Sequence, residues 1–216
     1  YYFYSNYVFM KKITVKNIIE FKRKSERSKK TFANNLKLEK KRVDNSGGGD
    51  YWISCLSAIS NVFKYDEYEY LDNKIKLLKE KHKIAEDKRI KLQYQRNIDI
   101  LYGFKDFDLD SIRPKVDLFF MKKPNDKSLI NIKGFPIQSR PHHVFTFSRN
   151  NSDEIGAIWF IAKLEGYKKS ELAMFADIQY RYLDKHYSKD YFINPKFCLA
   201  VDVVNGKEIS YDDIKK

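Results

Sequence analysis

The sequence predicts an α+β protein, in which N-terminal helices precede a mostly antiparallel five-stranded sheet ending in a β-α-β unit. Before about residue 105, apolar residues recur at three- and four-residue spacings, as on amphipathic helices. After Pro114, short β-branched and aromatic runs alternate with turn-forming clusters. The 216 residues, 43% of them hydrophobic, suffice for one core, or for a core with a helical appendage.

Composition excludes several classes of protein. The apolar fraction is too high for a disordered chain, and with 33% charged residues no uncharged apolar run is long enough to span a membrane. Cys55 and Cys198 lie far apart in apolar stretches and fit no disulfide or zinc spacing, so we expect a cytoplasmic protein without metal or cofactor. The uncharged aromatic residues 1–9 do not have the order of a signal peptide, and we expect Met10 to be the native start.

A basic helical arm is predicted over residues 10–45. Thr14 is placed to cap a helix reaching about Leu38, with Val15, Ile18 and Ile19 on its apolar side. Residues 45–49 contain three consecutive glycines and predict a hinge, because neither a preceding strand nor a Gly-Lys-Ser/Thr sequence supports a phosphate loop. Six cations are the candidate nucleic-acid-binding residues: Lys22, Arg23, Lys24, Arg27, Lys29 and Lys30.

The distribution of charge indicates an anionic partner, and we expect nucleic acid rather than a membrane surface, because the apolar side of the helix holds little but Ile and Val. The formal net charge is +13, and residues 1–50 hold 13 basic against 5 acidic residues, whereas residues 151–216 hold 10 against 11. An AT-rich genome would raise Lys everywhere, which explains the level of Lys better than it explains this gradient. We therefore expect nonspecific contacts between the basic helix and nucleic-acid phosphates.

Residues 50–216 are predicted to form the α+β domain, which starts with helices. Asp50 is expected to cap a helix over 51–64, whose apolar stripe includes Cys55 and Phe63. Residues 67–103 favour one long helix, although the stripe weakens between Glu80 and Lys91 and allows a break there. This helix is also a possible surface for a protein partner.

The remaining elements, within 115–210, are predicted from five apolar runs and one helical stripe. The segment 155–163 is apolar on both faces and should be a central strand covered on both sides. A helix is predicted over 167–187. The predicted strands are 116–121, 129–133, 143–148, 155–163 and 197–204.

The order helix, hairpins, long strand ending in Lys163, helix and strand over about 67–204 resembles the core of restriction-endonuclease-like nucleases. That resemblance implies a metal-dependent nuclease or a degenerate nuclease-like scaffold. In that family an acid-x-Lys motif binds Mg²⁺, but here Ile161 stands two residues before Lys163. Catalytic residues therefore stay unidentified. A nuclease with rearranged ligands would have its site near Asp153, Glu154, Lys163 and Asp202.

Three smaller patterns favour structural roles. His142 and His143 are adjacent on a strand and point to opposite faces, so they cannot easily share a metal. Arg181 and His186 have a spacing found in helical ribonucleases, but a continuous helix places them about 140° apart. Asp202 and Lys163 are charges in apolar surroundings and are expected to pair with each other.

Overall fold

The computed structural model describes residues 12–37, 51–122 and 128–214. The α-helices of these residues are α1 (Val15–Arg23), α2 (Glu26–Lys37), α3 (Ile53–Tyr65), α4 (Glu69–Ile84), α5 (Lys88–Lys105), α6 (Leu109–Ile112) and α7 (Lys169–Tyr187). The strands are β1 (Ile13–Thr14), β2 (Phe119–Phe120), β3 (Leu129–Ile132), β4 (Phe135–Gln138), β5 (His143–Arg149), β6 (Ser152–Ile161), β7 (Phe192–Asp202) and β8 (Lys207–Ser210). The predicted hinge at 45–49, the predicted cap Asp50 and residues 1–9 lie outside the described residues.

The described residues form two units. The first contains residues 12–37 and 128–139, and the second contains residues 51–122 and 140–214. The predicted division into an arm at 10–45 and a body at 50–216 differs from this one, because the β3–β4 hairpin belongs with the N-terminal helices.

The first unit combines α1 and α2 with a three-stranded sheet in the order β1-β4-β3. β1 runs parallel to β4, with Ile13 opposite Ile137, and β3 runs antiparallel to β4. Lys133 and Gly134 turn the hairpin with φ values of 49° and 84°, and Asn131 Oδ1 accepts a hydrogen bond from Gly134 N. A turn with two positive φ values matches the twist of a two-residue hairpin.

The second unit has three layers. Its five-stranded sheet has the order β2-β5-β6-β7-β8, with antiparallel neighbours except for the parallel pair β6 and β7, which α7 connects. Phe160 on β6 packs against Phe63 of α3 and Phe104 of α5, whereas Trp159 packs against Phe175 of α7. The predicted α+β class, β-α-β unit and doubly covered central strand are confirmed.

The membership of the predicted sheet was partly wrong. Residues 129–132 belong to the three-stranded sheet, and the fifth place in the larger sheet is taken by β8, which follows the turn at Gly206. The strands β1, β4 and β8 were not predicted because each has only two to four residues. At that length there is too little alternation to separate a strand from a loop.

The predicted single helix over 67–103 is wrong, and the alternative break between Glu80 and Lys91 is confirmed. α4 ends at Ile84, and Asp87 caps α5 by accepting hydrogen bonds from the backbone N–H groups of Arg89 and Ile90. The two helices fold back on each other, since Lys79 Nζ donates to the Tyr102 hydroxyl at 2.7 Å. Their apolar stripe, including Leu71, Leu78 and Leu101, is buried within the second unit.

A wide bulge interrupts the central pair of strands. Ile155 is opposite Ile193, but Ala157 is opposite Cys198, so residues 194–197 of β7 face the single residue Gly156 of β6. Bulges of this kind redirect side chains at the edges of sites. The bulge places the Phe197 ring against that of Phe147 and its backbone close to Gly156.

Candidate nucleic-acid interface

The predicted basic helix is two helices joined at a corner, which corrects the single helix predicted from Thr14 to about Leu38. Thr14 caps α1 as predicted: its Oγ1 accepts from Asn17 N, and Asn17 Oδ1 accepts from Thr14 N, each at 3.1 Å. Lys24 is extended, and the Ser25 carbonyl accepts from the N–H groups of Ser28 and Lys29 to start α2. The break falls inside the basic segment because serine readily bonds to nearby backbone and favours helix starts.

An aromatic pair holds the corner between α1 and α2. The rings of Phe21 and Phe32 lie 6.5 Å apart, with Lys24 Nζ 5.0 Å from the Phe32 centroid and Lys29 Nζ 5.6 Å from the Phe21 centroid. Lys29 also forms an ion pair with Glu26. Two of the six predicted phosphate contacts, Lys24 and Lys29, are therefore engaged in the corner itself.

The opposite face of α2 is open to solvent. At 100° per residue, positions 27, 30, 31 and 34 fall within an arc of about 100°. Arg27, Lys30, Thr31 and Asn34 are all exposed, and each side chain can donate hydrogen bonds. Lys22 and Arg23, at the end of α1, are exposed as well. Among the described residues, no carboxylate forms an ion pair with Lys22, Arg27 or Lys30.

The carboxylates that the nuclease hypothesis would require do not converge. Along the parallel pair, Glu154 of β6 is opposite Phe192, whereas Ile161 is opposite Asp202. Seven residues of strand separate these positions, or roughly 23 Å at about 3.3 Å per residue. Asp153 and Glu154 therefore lie at one end of the strands, whereas Asp202 lies at the other end and Glu165 follows the end of β6. No group of three His, Cys, Asp or Glu side chains within the described ranges could hold a metal ion.

Glu154 is a buried structural acid. Arg149 Nε and a second guanidinium nitrogen donate to its two oxygens at 3.1 and 3.2 Å, and Asn194 Nδ2 also donates to it. Asn194 Oδ1 in turn accepts from Lys196 N. The bidentate guanidinium of Arg149 and the amide of Asn194 compensate the charge of this buried carboxylate. Through Asn194, Glu154 also anchors the bulge of β7.

Asp202 and Lys163 do not pair with each other, which corrects the prediction. Asp202 is fully buried and accepts from the backbone N–H groups of Tyr167 and Val204, and from Asn205 Nδ2 at 2.9 Å. Lys163 Nζ instead lies 3.8 Å from Glu165. Three neutral donors suffice to stabilise the buried acid, which ties the loop before α7 to the end of β7.

His142 and His143 have separate hydrogen-bond partners, and His142 precedes β5, which begins at His143. His142 Nδ1 accepts from Phe160 N at 3.2 Å. His143 Nε2 lies 2.7 Å from Ser60 Oγ and 2.8 Å from the Ser60 carbonyl oxygen. His143 therefore connects β5 to α3 through Ser60.

Arg181 and His186 also remain apart, because α7 continues to Tyr187. Arg181 pairs with Asp177 at 2.9 Å, and this hydrogen bond raises the pKa of its guanidinium. His186 packs against the ring of Tyr182. The ribonuclease-like spacing is therefore a coincidence of sequence.

An acidic open cleft of about 600 Å³ lies at the start of β6 and β7 and the end of α7. Asp153, Asp184 and Asp190 line it together with Tyr180 and the single cation Lys189. Burial, and then the charge of Asp184, raise the pKa of Tyr180. The three carboxylates of this cleft would repel phosphates. Its charge is therefore opposite to that of the α2 face, and it is not a candidate nucleic-acid interface.

The comparisons with known proteins add no relative. The chain matches no protein-family model, no curated protein and no solved structure. The resemblance to restriction-endonuclease-like nucleases therefore rests on the order of elements alone. In the part of the chain that is described, no helix has the length and apolar character to cross a membrane.

Proposed function

We propose that this protein binds nucleic acid nonspecifically, through contacts between phosphates and the exposed face of α2 with the adjoining end of α1. The observation that carries the proposal is that Arg27, Lys30, Thr31 and Asn34 form one solvent-facing set of donors without an acid among them. Phosphate contacts of this kind come from Arg, Lys and small polar side chains and are independent of base sequence.

The corner at Lys24 and Ser25 supports this proposal. Phe21 and Phe32, with Lys24 and Lys29 above their rings, fix the direction of α2 relative to α1. Interactions of a cation with an aromatic ring contribute about 0.5–1 kcal/mol at exposed sites. Lys24 and Lys29 are therefore positioning residues, and the cations expected to touch phosphates are Lys22, Arg23, Arg27 and Lys30.

The test is the salt dependence of binding to double-stranded DNA, single-stranded DNA and RNA. Each phosphate contact with duplex DNA contributes about −0.9 to the slope of log K against log [salt]. Contact through Lys22, Arg27 and Lys30 alone would give a slope near −2.7. We expect their triple substitution by Glu to abolish most of that slope and most of the affinity.

The matched control changes the same charge elsewhere. Lys76, Lys83 and Arg89 are exposed on α4 and α5, and their substitution by Glu produces the same change of −6 in formal charge. The control should retain most of the affinity and its salt slope. Equal losses in the two triple variants, or binding that is insensitive to salt, would show that the α2 face is not the interface.

A further inference from the structure

The exposed side of α2 extends beyond the four residues of the α2 face. At about 100° per residue, exposed side chains with hydrogen-bond donors occupy an arc of about 160°. They are Arg27, Ser28, Lys30, Thr31, Asn34 and Asn35. Glu26 lies about 40° outside this arc, and its carboxylate pairs with Lys29 on the packed side of the helix. Nearly half of the circumference of α2 is therefore polar, open to solvent and without an acid.

The side chains at the centre of this arc differ in kind from those at its edges. Arg27 and Asn34 lie near the centre, about 20° apart, whereas Lys30 lies toward one edge and Thr31 and Ser28 lie toward the other. Arg and Asn form bidentate hydrogen bonds with base edges in the major groove, Arg with guanine and Asn with adenine. Lys, Ser and Thr donate to phosphate oxygens. This order around the helix matches a helix whose centre faces the bases and whose edges face the two strands of a duplex.

The dimensions of α2 fit the major groove of B-form DNA. Its 12 residues give a length of about 18 Å, and a helix with its side chains is about 10–12 Å across, whereas the groove is about 12 Å wide. Because α1 ends at the corner, the exposed Lys22 and Arg23 lie next to the start of α2. Both can contact phosphates at the edge of a groove that α2 occupies.

Single strands and RNA duplexes match this surface less well. Proteins that bind single strands stack the bases on aromatic side chains. The exposed arc of α2 has no aromatic residue, since Phe32 packs against Phe21 on the other side of the helix. The major groove of an A-form RNA duplex is deep and too narrow for side chains to read. Among nucleic acids, the arc is therefore best matched by duplex DNA.

We propose that α2 enters the major groove of duplex DNA, with Arg27 and Asn34 at base edges and Lys30 and Thr31 at phosphates. This inference rests on the proposed function and names the substrate class of the same surface. Seven residues separate Arg27 from Asn34, or about 10.5 Å along the helix, which corresponds to about three base pairs. The phosphate contacts give affinity for any sequence, and the two central side chains add a preference for a guanine and an adenine at about that spacing.

The first experiment measures, by fluorescence anisotropy, the affinity of the full chain for a short DNA duplex, for the RNA duplex of the same sequence and for the single DNA strands. The DNA duplex should bind more tightly than either alternative by about fivefold or more, because only it admits the helix into a groove. Equal or tighter binding of the RNA duplex or of a single strand, with a steep salt dependence, would overturn this inference and leave the proposed function standing. Absence of salt-dependent binding to all of them would overturn both.

The second experiment selects bound duplexes from a pool of random sequence and compares variants on the selected duplex. A guanine and an adenine about three base pairs apart should be enriched. Asn34→Ala removes an amide without changing the charge, so the preference for the selected duplex over one of mixed sequence should fall by about fivefold or more. Arg27→Lys keeps the charge but loses the two-pronged donor, and the preference for guanine should fall likewise.

The matched control is Asn73→Ala, which removes the same exposed amide from α4 and should keep the full preference. The salt slope reports phosphate contacts, so Asn34→Ala should show no loss of slope, in contrast to the triple Glu variant. Selection without any enriched base pair would refute the base contacts. An equal preference in Asn34→Ala and Asn73→Ala would do the same.

Discussion

Substitution of Gly156 by Ala should destabilise the protein by about 2 kcal/mol. A Cβ at this position would lie 2.7 Å from the Phe197 carbonyl oxygen, 2.9 Å from Phe197 Cβ and 3.0 Å from Cε2 of Phe145. The first contact is with backbone, and β6 lies between β5 and β7, so neither side can move away without breaking strand pairs. Relief of the clash therefore requires a shift of the bulge.

The magnitude follows from two opposing effects. Overpacking of a buried site costs about 1–3 kcal/mol, and a clash with backbone places this site near the upper end. Replacing Gly by Ala also restricts the unfolded chain, which stabilises the fold by about 0.4–1 kcal/mol. The net loss of about 2 kcal/mol should lower Tm by about 4–8 °C in a chain of this size.

The assay is urea unfolding followed by tryptophan fluorescence, since Trp159 lies on β6 and is buried. Gly103→Ala is the matched control, because Gly103 lies within α5 and an added Cβ there would meet nothing within 4 Å. Alanine in a helix is more stable than glycine by about 0.5–1 kcal/mol, so the two variants should move in opposite directions. If Gly156→Ala unfolded at the same urea concentration as the unsubstituted chain or a higher one, the close approach at the bulge would be wrong.

Two further predictions concern buried polar side chains. Asn97→Ala should destabilise the protein by about 1–3 kcal/mol in the same assay, because it removes the buried hydrogen bond from Cys55 N to Asn97 Oδ1 and those that Asn97 Nδ2 donates to the carbonyl groups of Tyr51 and Gln93. Asn73→Ala, at an exposed site, should change stability by less than about 0.5 kcal/mol. Equal effects of the two substitutions would contradict this prediction. Burial, and then the hydrogen bond with Tyr187, raise the pKa of Tyr182. Above about pH 10 the unfolded chain therefore loses the hydroxyl proton more readily than the folded chain does. The free energy of unfolding should consequently fall as pH rises. Tyr182→Phe removes that contribution, and its unfolding free energy should fall less between pH 9 and about pH 11; an unchanged pH dependence would contradict the assignment.

Periodicity predicted the parts of the fold that bury continuous apolar faces. The stripe of α3 and the doubly apolar strand β6 could be read from sequence because burial dictates residue type at every position. The breaks in the helices were harder to place, since they depend on local caps such as Asp87 that compete with helix propensity. Asn97 gave no signal at all, because it supports α3 from a helix more than forty residues away.

The basic charge of the candidate interface was visible in the sequence, but the arrangement of its side chains was not. The sequence shows six cations within residues 22–30. Which of them pack on aromatic rings and which face solvent depends on the corner between α1 and α2. Lys24 and Lys29 lie over Phe32 and Phe21, while Arg27 and Lys30 face solvent. The positions of Phe21 and Phe32 on either side of Ser25, a residue type that favours a helix start, could have indicated the corner and the cations that pack on it.

The proposed interface should respond steeply to salt. A nucleic-acid strand carries condensed counterions, and cations on the α2 face release them on binding, so affinity there depends on ionic strength. The net charge of +13 belongs to the whole chain and cannot by itself locate the interface. The location comes from geometry, because repeated phosphates match a convex helix face whose cations Lys22, Arg27 and Lys30 form no ion pair with a carboxylate of the described residues.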